Sequence, residues 1–192
     1  MKTLPILLSC LLFTSLSSHA SGTLSIDEAK KIKIVRDVNE QEKQQVSVIA
    51  GLLADYEIEA KKLVSSLDNK SLTLKDVNNG TDKLIDLSEL ILVTARFRLP
   101  QCDAYLSQSM TLKDKISTIS HEQLETDYHL DGALPSAPPE CYHTKDMFVH
   151  PATVLVLTRD DPTLSQKTRD TINAEITEVL AHTAIVRELI IH

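Results

Sequence analysis

The apolar residues Ile49, Leu52, Leu53, Tyr56, Ala60, Leu63, Val64 and Leu67 recur at steps of three and four, the spacing that lines one face of an α-helix. No proline interrupts residues 26–67, so a helix is expected across that span. Within it, Asn39–Gln45 is polar all round and either extends the helix as a solvated turn or divides it in two. A second stripe, Leu84, Leu87, Ile91 and Ala95, predicts a helix from about Asp82 to Leu99, ended by Pro100. The segment between carries the turn signals Asp68-Asn69 and Asn79-Gly80 and leaves room for one helical turn at Leu74–Val77.

Leu106, Met110 and Ile116 mark a third helix from Gln101 to about Ser117, and His121–Tyr128 adds one or two turns. Residues 141–158 give a mixed signal. Val154-Leu155-Val156-Leu157 suits a buried strand, but no partner strand is evident, and an interior helix beginning near Pro151 is more economical. The last helix, about Leu164–Ile190, aligns Ile172, Ile176, Val179, Leu180, Thr183, Val186 and Ile190. Hydroxyl-to-carboxyl or carboxamide spacings at Ser25–Glu28, Ser120–Gln123 and Thr163–Gln166 read as helix starts. The fold expected is all-α: a four- or five-helix bundle with one Pro-rich crossover connection, Pro135–Pro139, and one disulfide. Four glycines and no tryptophan in 192 residues agree with helices rather than a twisted sheet.

The N-terminus reads differently. Lys2, the apolar run Leu4–Leu12 and the ending Ser18-His19-Ala20 fit a secretory signal peptide over residues 1–20 that is cleaved before Ser21, leaving residues 21–192 as a single helical-bundle domain. The run is too short to span a bilayer, and no longer one follows, so the chain is expected to be exported, periplasmic or secreted, and not membrane-spanning. Cleavage removes Lys2 and takes the formal net charge from −7 to −8. That acidity argues against nucleic acid or an anionic membrane as partner. Cleavage also removes Cys10, leaving Cys102 and Cys141 as a pair in an oxidising compartment. A disulfide between them closes a loop of about forty residues, for which chain entropy alone assigns about 3 to 4 kcal/mol. A redox pair or metal thiolates are the competing readings, and the spacing is far from Cys-x-x-Cys.

Candidate chemistry concentrates in residues 129–151, which hold His129, His143, His150, Cys141 and four prolines. His143 and His150 share a face of any continuous helix but stand about 10 Å apart along it, too far for one ion. A kink at Pro151 would turn one of them toward His129 and Asp131, giving a mixed nitrogen and oxygen site suited to zinc, copper or nickel. The metal ligands expected are therefore His129, Asp131, His143 and His150. The competing view makes these histidines partners of turns and caps in a pinned loop. Glu140-x-x-His143 occurs once, where a di-iron bundle needs two copies. Arg96 and Arg98 suggest an anion clamp or plain pairing with nearby acids.

No phosphate-cradling glycine loop, nucleophile elbow, covalent-haem or dinucleotide motif is present, and a hydrolase built on His121 or His182 lacks a nucleophile. The function expected is that of an exported soluble binding protein, not an enzyme, taking a transition metal, or secondarily haem, through its histidines. The alternative is a cell-envelope protein–protein interaction module with neither metal nor catalysis.

Overall fold

The computed structural model describes residues 40–191. The expected signal peptide, the Ser25 start and the first part of the expected first helix lie outside them. Among the described residues there are six α-helices and no strand: α1 Glu40–Ser66, α2 Leu74–Arg98, α3 Asp103–Met110, α4 His121–Leu124, α5 Glu140–Asp160 and α6 Gln166–Ile191. The four long helices form a ring in which α1 packs on α2 and α6, and α5 on the same two. Each neighbour runs antiparallel to the next. Leu63 on α1 approaches Gly80 on α2, Glu57 on α1 pairs with Arg187 on α6, and His150 on α5 pairs with Glu175 on α6. None of the described helices is long and apolar enough to cross a membrane.

α2 begins eight residues earlier than its apolar stripe suggests, because Thr73 forms a capping box. Its hydroxyl accepts from the Asp76 amide while the Asp76 carboxylate accepts from the Thr73 amide. This cap overrides the turn signal at Asn79-Gly80, and Gly80 continues the helix facing Leu63. α6 starts later than expected: Ser165, not Thr163, accepts from the Thr168 amide. Asp161 organises that entry, accepting from the Ser165 amide and the Thr163 and Thr168 hydroxyls, which holds its carboxyl well below the usual carboxylate range. The Arg169 guanidinium reaches back to the carbonyls of Leu67, Asn69 and Leu72 and closes the end of α1. Arg96 Nε donates to Asp103 and Arg98 Nε to the Ile190 carbonyl, so the two guanidiniums are held by separate partners.

Residues 99–139 leave α2 and return to the same end of the bundle, where Cys102 and Cys141 are joined with their Cα atoms 5.5 Å apart. The excursion contains α3, α4 and a π-helical turn at Glu125–His129, and it lays Tyr128 and Leu124 into the core. α5 is consequently covered on every side. Thr144 through Val154 are buried without a break, which explains why Val154–Leu157 lacks an amphipathic period and is nonetheless helical.

Pro151 lies inside α5. With no N–H of its own it strips the Met147 carbonyl of its helical donor, and the buried Tyr56 hydroxyl from α1 supplies the replacement at 2.8 Å. Burial raises the Tyr56 phenol well above its ordinary pKa, so it remains a donor. The expected kink site is thus a cross-bundle hydrogen bond.

Two outcomes follow from these contacts. Tyr56→Phe leaves a buried acceptor unpaired and lowers unfolding stability by about 1 to 3 kcal/mol. In a Pro151→Ala background, where the helix supplies its own donor, denaturant titration shows most of that loss gone. Asp161→Ala lowers the melting temperature at neutral pH. Because the folded carboxyl titrates below its unfolded value, the Asp161 contribution is present above about pH 4 and fades as pH falls, so thermal scans of wild type and variant converge in acid.

Candidate metal centre

Four of the five histidines among the described residues meet where the excursion crosses α5 and α6: His129 on the π turn, His143 and His150 on α5, and His182 on α6, while His121 on α4 lies 3.7 Å from Glu125. α5 carries His143, Asp146 and His150 at i, i+3 and i+7, one helical stripe. α6 carries Glu175, Glu178 and His182 with the same spacing. Antiparallel packing sets the stripes face to face, so that His143 stands beside His182 with ring centroids 4.8 Å apart and His150 Nδ1 lies 2.7 Å from a Glu175 oxygen.

His129 completes the row from the excursion. Its ring meets that of His150 at 4.9 Å, and the His150 ring meets that of His182 at 5.6 Å. The four imidazoles thus run 129, 150, 182, 143, each edge to face with the next. Donor atoms of His129, His150 and Glu178 lie within 4.8 Å of one another, as do those of His143, Asp146 and His182.

The imidazoles are oriented for use. His129 Nδ1 contacts Glu125 at 3.0 Å and His150 Nδ1 contacts Glu175, the carboxylate–histidine arrangement that fixes ring direction and tautomer at metal sites. That leaves His150 Nε2, fully buried, without a hydrogen-bond partner. His143 Nδ1 and His182 Nδ1 are buried and unpartnered as well. The nearest carboxylate oxygen to His182 Nδ1, from Asp146, is 3.4 Å away and not aligned as a hydrogen bond. That separation is close to the distance between two donors on one tetrahedral ion with bonds of about 2.0 to 2.1 Å. Burial lowers the His182 pKa, and His150 and His143 act in the same direction against Asp146, which favours the neutral, metal-competent imidazole.

Lys145 fastens this assembly. Its buried ammonium donates to the Tyr128 and His129 carbonyls at 2.9 and 2.8 Å and to the Asp131 carboxylate at 2.9 Å, and it lies 3.0 Å from Asp146. A cation here satisfies carbonyls that the end of the π turn leaves open. Asp131 follows in the left-handed region at φ 64°. Gly132 then donates to the Thr126 carbonyl, and a Cβ at Gly132 would stand 2.5 Å from that oxygen. The His129 position therefore depends on a turn that needs glycine.

Of the four ligands expected from sequence, the fold brings His129 to His150 and sets His143 apart from them, against His182. Asp131 is in neither donor group; its carboxylate is occupied by Lys145 and by the Tyr105 hydroxyl at 2.6 Å. His182, Asp146 and Glu178, members of the two donor groups, were not among the expected ligands, nor was Glu175 singled out as the partner of His150. The repeated i, i+3, i+7 pattern of donors on two helices is the signal that would have found them.

Comparison with protein-family models, with curated proteins and with solved structures finds no match, so the chemistry of the centre rests on its own residues.

Lys145→Met leaves the buried Asp146 carboxylate and the Tyr128 and His129 carbonyls beside an apolar chain. The expected cost is about 3 to 5 kcal/mol of unfolding stability, measured by chemical denaturation, whereas Lys113→Met at the exposed pair with Glu89 costs under about 1 kcal/mol.

Proposed function

We propose that the chain is an exported, soluble helical-bundle protein of the periplasm or secreted space that binds a divalent transition metal through His129, His150 and Glu178. The observation that carries this reading is His150, whose Nδ1 is held by Glu175 while its Nε2 has no partner although the residue is fully buried. An unpaired buried nitrogen costs free energy that a metal ion would recover. Glu178 is exposed and gives an incoming ion a solvent-facing ligand. Both described cysteines are in the disulfide, so the donors are imidazole and carboxylate, a set that suits Zn(II), Cu(II) or Ni(II). Imidazoles packed ring against ring suit bare metal ions better than a porphyrin, which needs a slot for its macrocycle. On this reading the Pro-rich segment Pro135–Pro139, expected as a crossover, is the return limb that keeps the His129 turn against α5.

The cell-envelope interaction module is the second reading. It draws on two exposed apolar side chains, Phe97, 81% exposed, and Leu130, 76% exposed.

Elemental analysis of mature protein, purified without a His-tag or chelator from an exporting host, separates the two. Stoichiometric metal whose content per chain falls in His129→Ala/His150→Ala supports the metal reading. A metal-free protein that raises neither its metal content nor its melting temperature with added zinc, copper or nickel overturns it and favours the interaction module.

A further inference from the structure

We propose that the centre takes two metal ions, the second at His143, Asp146 and His182. The inference rests on the metal reading above and assigns a site outside the one used there.

Three features separate the second site from the first. His143 and His150 stand seven residues apart on α5, about 10 Å by helical rise, so no single ion serves both. Each instead has its own second imidazole and its own carboxylate: His129 and Glu178 for His150, His182 and Asp146 for His143. Filling only the first site would leave His143 Nδ1 and His182 Nδ1 buried without partners, at the usual cost of unsatisfied interior groups. The local charge agrees. The residues of the centre include five carboxylates, Glu125, Asp131, Asp146, Glu175 and Glu178, and one ammonium, Lys145, and with neutral imidazoles their net negative charge is offset by two divalent cations.

The sites are not equivalent. At the first, Glu125 and Glu175 orient the rings from behind. At the second, the only carboxylate lies 3.0 Å from the Lys145 ammonium, which opposes a cation at short range. The first site therefore fills first, and the second ion binds at least tenfold more weakly, beside both Lys145 and the ion already bound.

Native mass spectrometry of the mature chain titrated with zinc tests this directly. The expected result is a one-ion species that converts to a two-ion species, with His143→Ala/His182→Ala stopping at one and His129→Ala/His150→Ala also retaining one. A wild-type chain that saturates at one ion, or variants that each lose all metal, overturns the two-ion inference while leaving metal binding intact. A chain that binds no ion overturns both this and the preceding reading. Should a variant fail to fold, electron paramagnetic resonance of wild-type protein decides alone. Copper at two equivalents is expected to give a dipolar-broadened spectrum absent at one equivalent, and an unchanged isolated-ion spectrum at both overturns the proposal.

Discussion

Lys145 is 2% exposed, and the oxygens around its ammonium come from three places in the chain: the carbonyls of Tyr128 and His129, the carboxylate of Asp131, and that of Asp146 on α5 itself. A buried cation is tolerated only when so surrounded, and the requirement works in both directions. The π turn and the residue after it must stay against α5 for Lys145 to remain paired. His129 is part of that turn, and its distance to His150 is set as a consequence. The disulfide acts on the same segment from outside, holding both ends of the excursion at one end of the bundle.

A second constraint keeps the histidines of α5 interior. A proline in mid-helix would ordinarily expose or bend the segment, yet Tyr56 reaches across from α1 to the freed Met147 carbonyl, and α5 remains enclosed from Thr144 to Val154. The polar residues within that stretch are unaffordable in isolation but are compensated in pairs: Lys145 by carboxylates and carbonyls, and His150 by Glu175. His150, Asp146 and His182 nonetheless each present a buried atom without a hydrogen bond. Most of the unsatisfied buried side-chain atoms among the described residues thus belong to the histidines and carboxylates of the centre, with Asn78, His121 and Thr144 the exceptions.

How much of this was legible in the sequence depends on range. The all-helical class and the Cys102–Cys141 pairing followed from periodicity, composition and arithmetic, because amphipathic spacing and two remaining cysteines are local or countable facts. The start of α2 was misplaced because a turn-like Asn79-Gly80 outweighed the Thr73 capping box. The continuation of α5 through Pro151 was obscured because its rescue comes from Tyr56, ninety-one residues away. At the centre, attention to one stretch of chain singled out His129, His143 and His150 but drew in Asp131, whose carboxylate turned out to be engaged by Lys145 and Tyr105. It overlooked α6 because His182 carries no motif by itself. Only the antiparallel register of α5 and α6 gives Glu175, Glu178 and His182 their meaning.

With both described cysteines bridged, the donors left to the centre are imidazole nitrogens and carboxylate oxygens, and this fixes what a bound ion must look like. The most direct test is a crystal structure of the zinc-soaked chain with anomalous data collected at the zinc edge. The account predicts anomalous peaks at bonding distance, about 2.0 to 2.2 Å, from His150 Nε2 with Glu178 and from the His143, Asp146 and His182 group. Zinc found only on surface carboxylates, with the imidazoles still packed ring to ring and unligated, would contradict it.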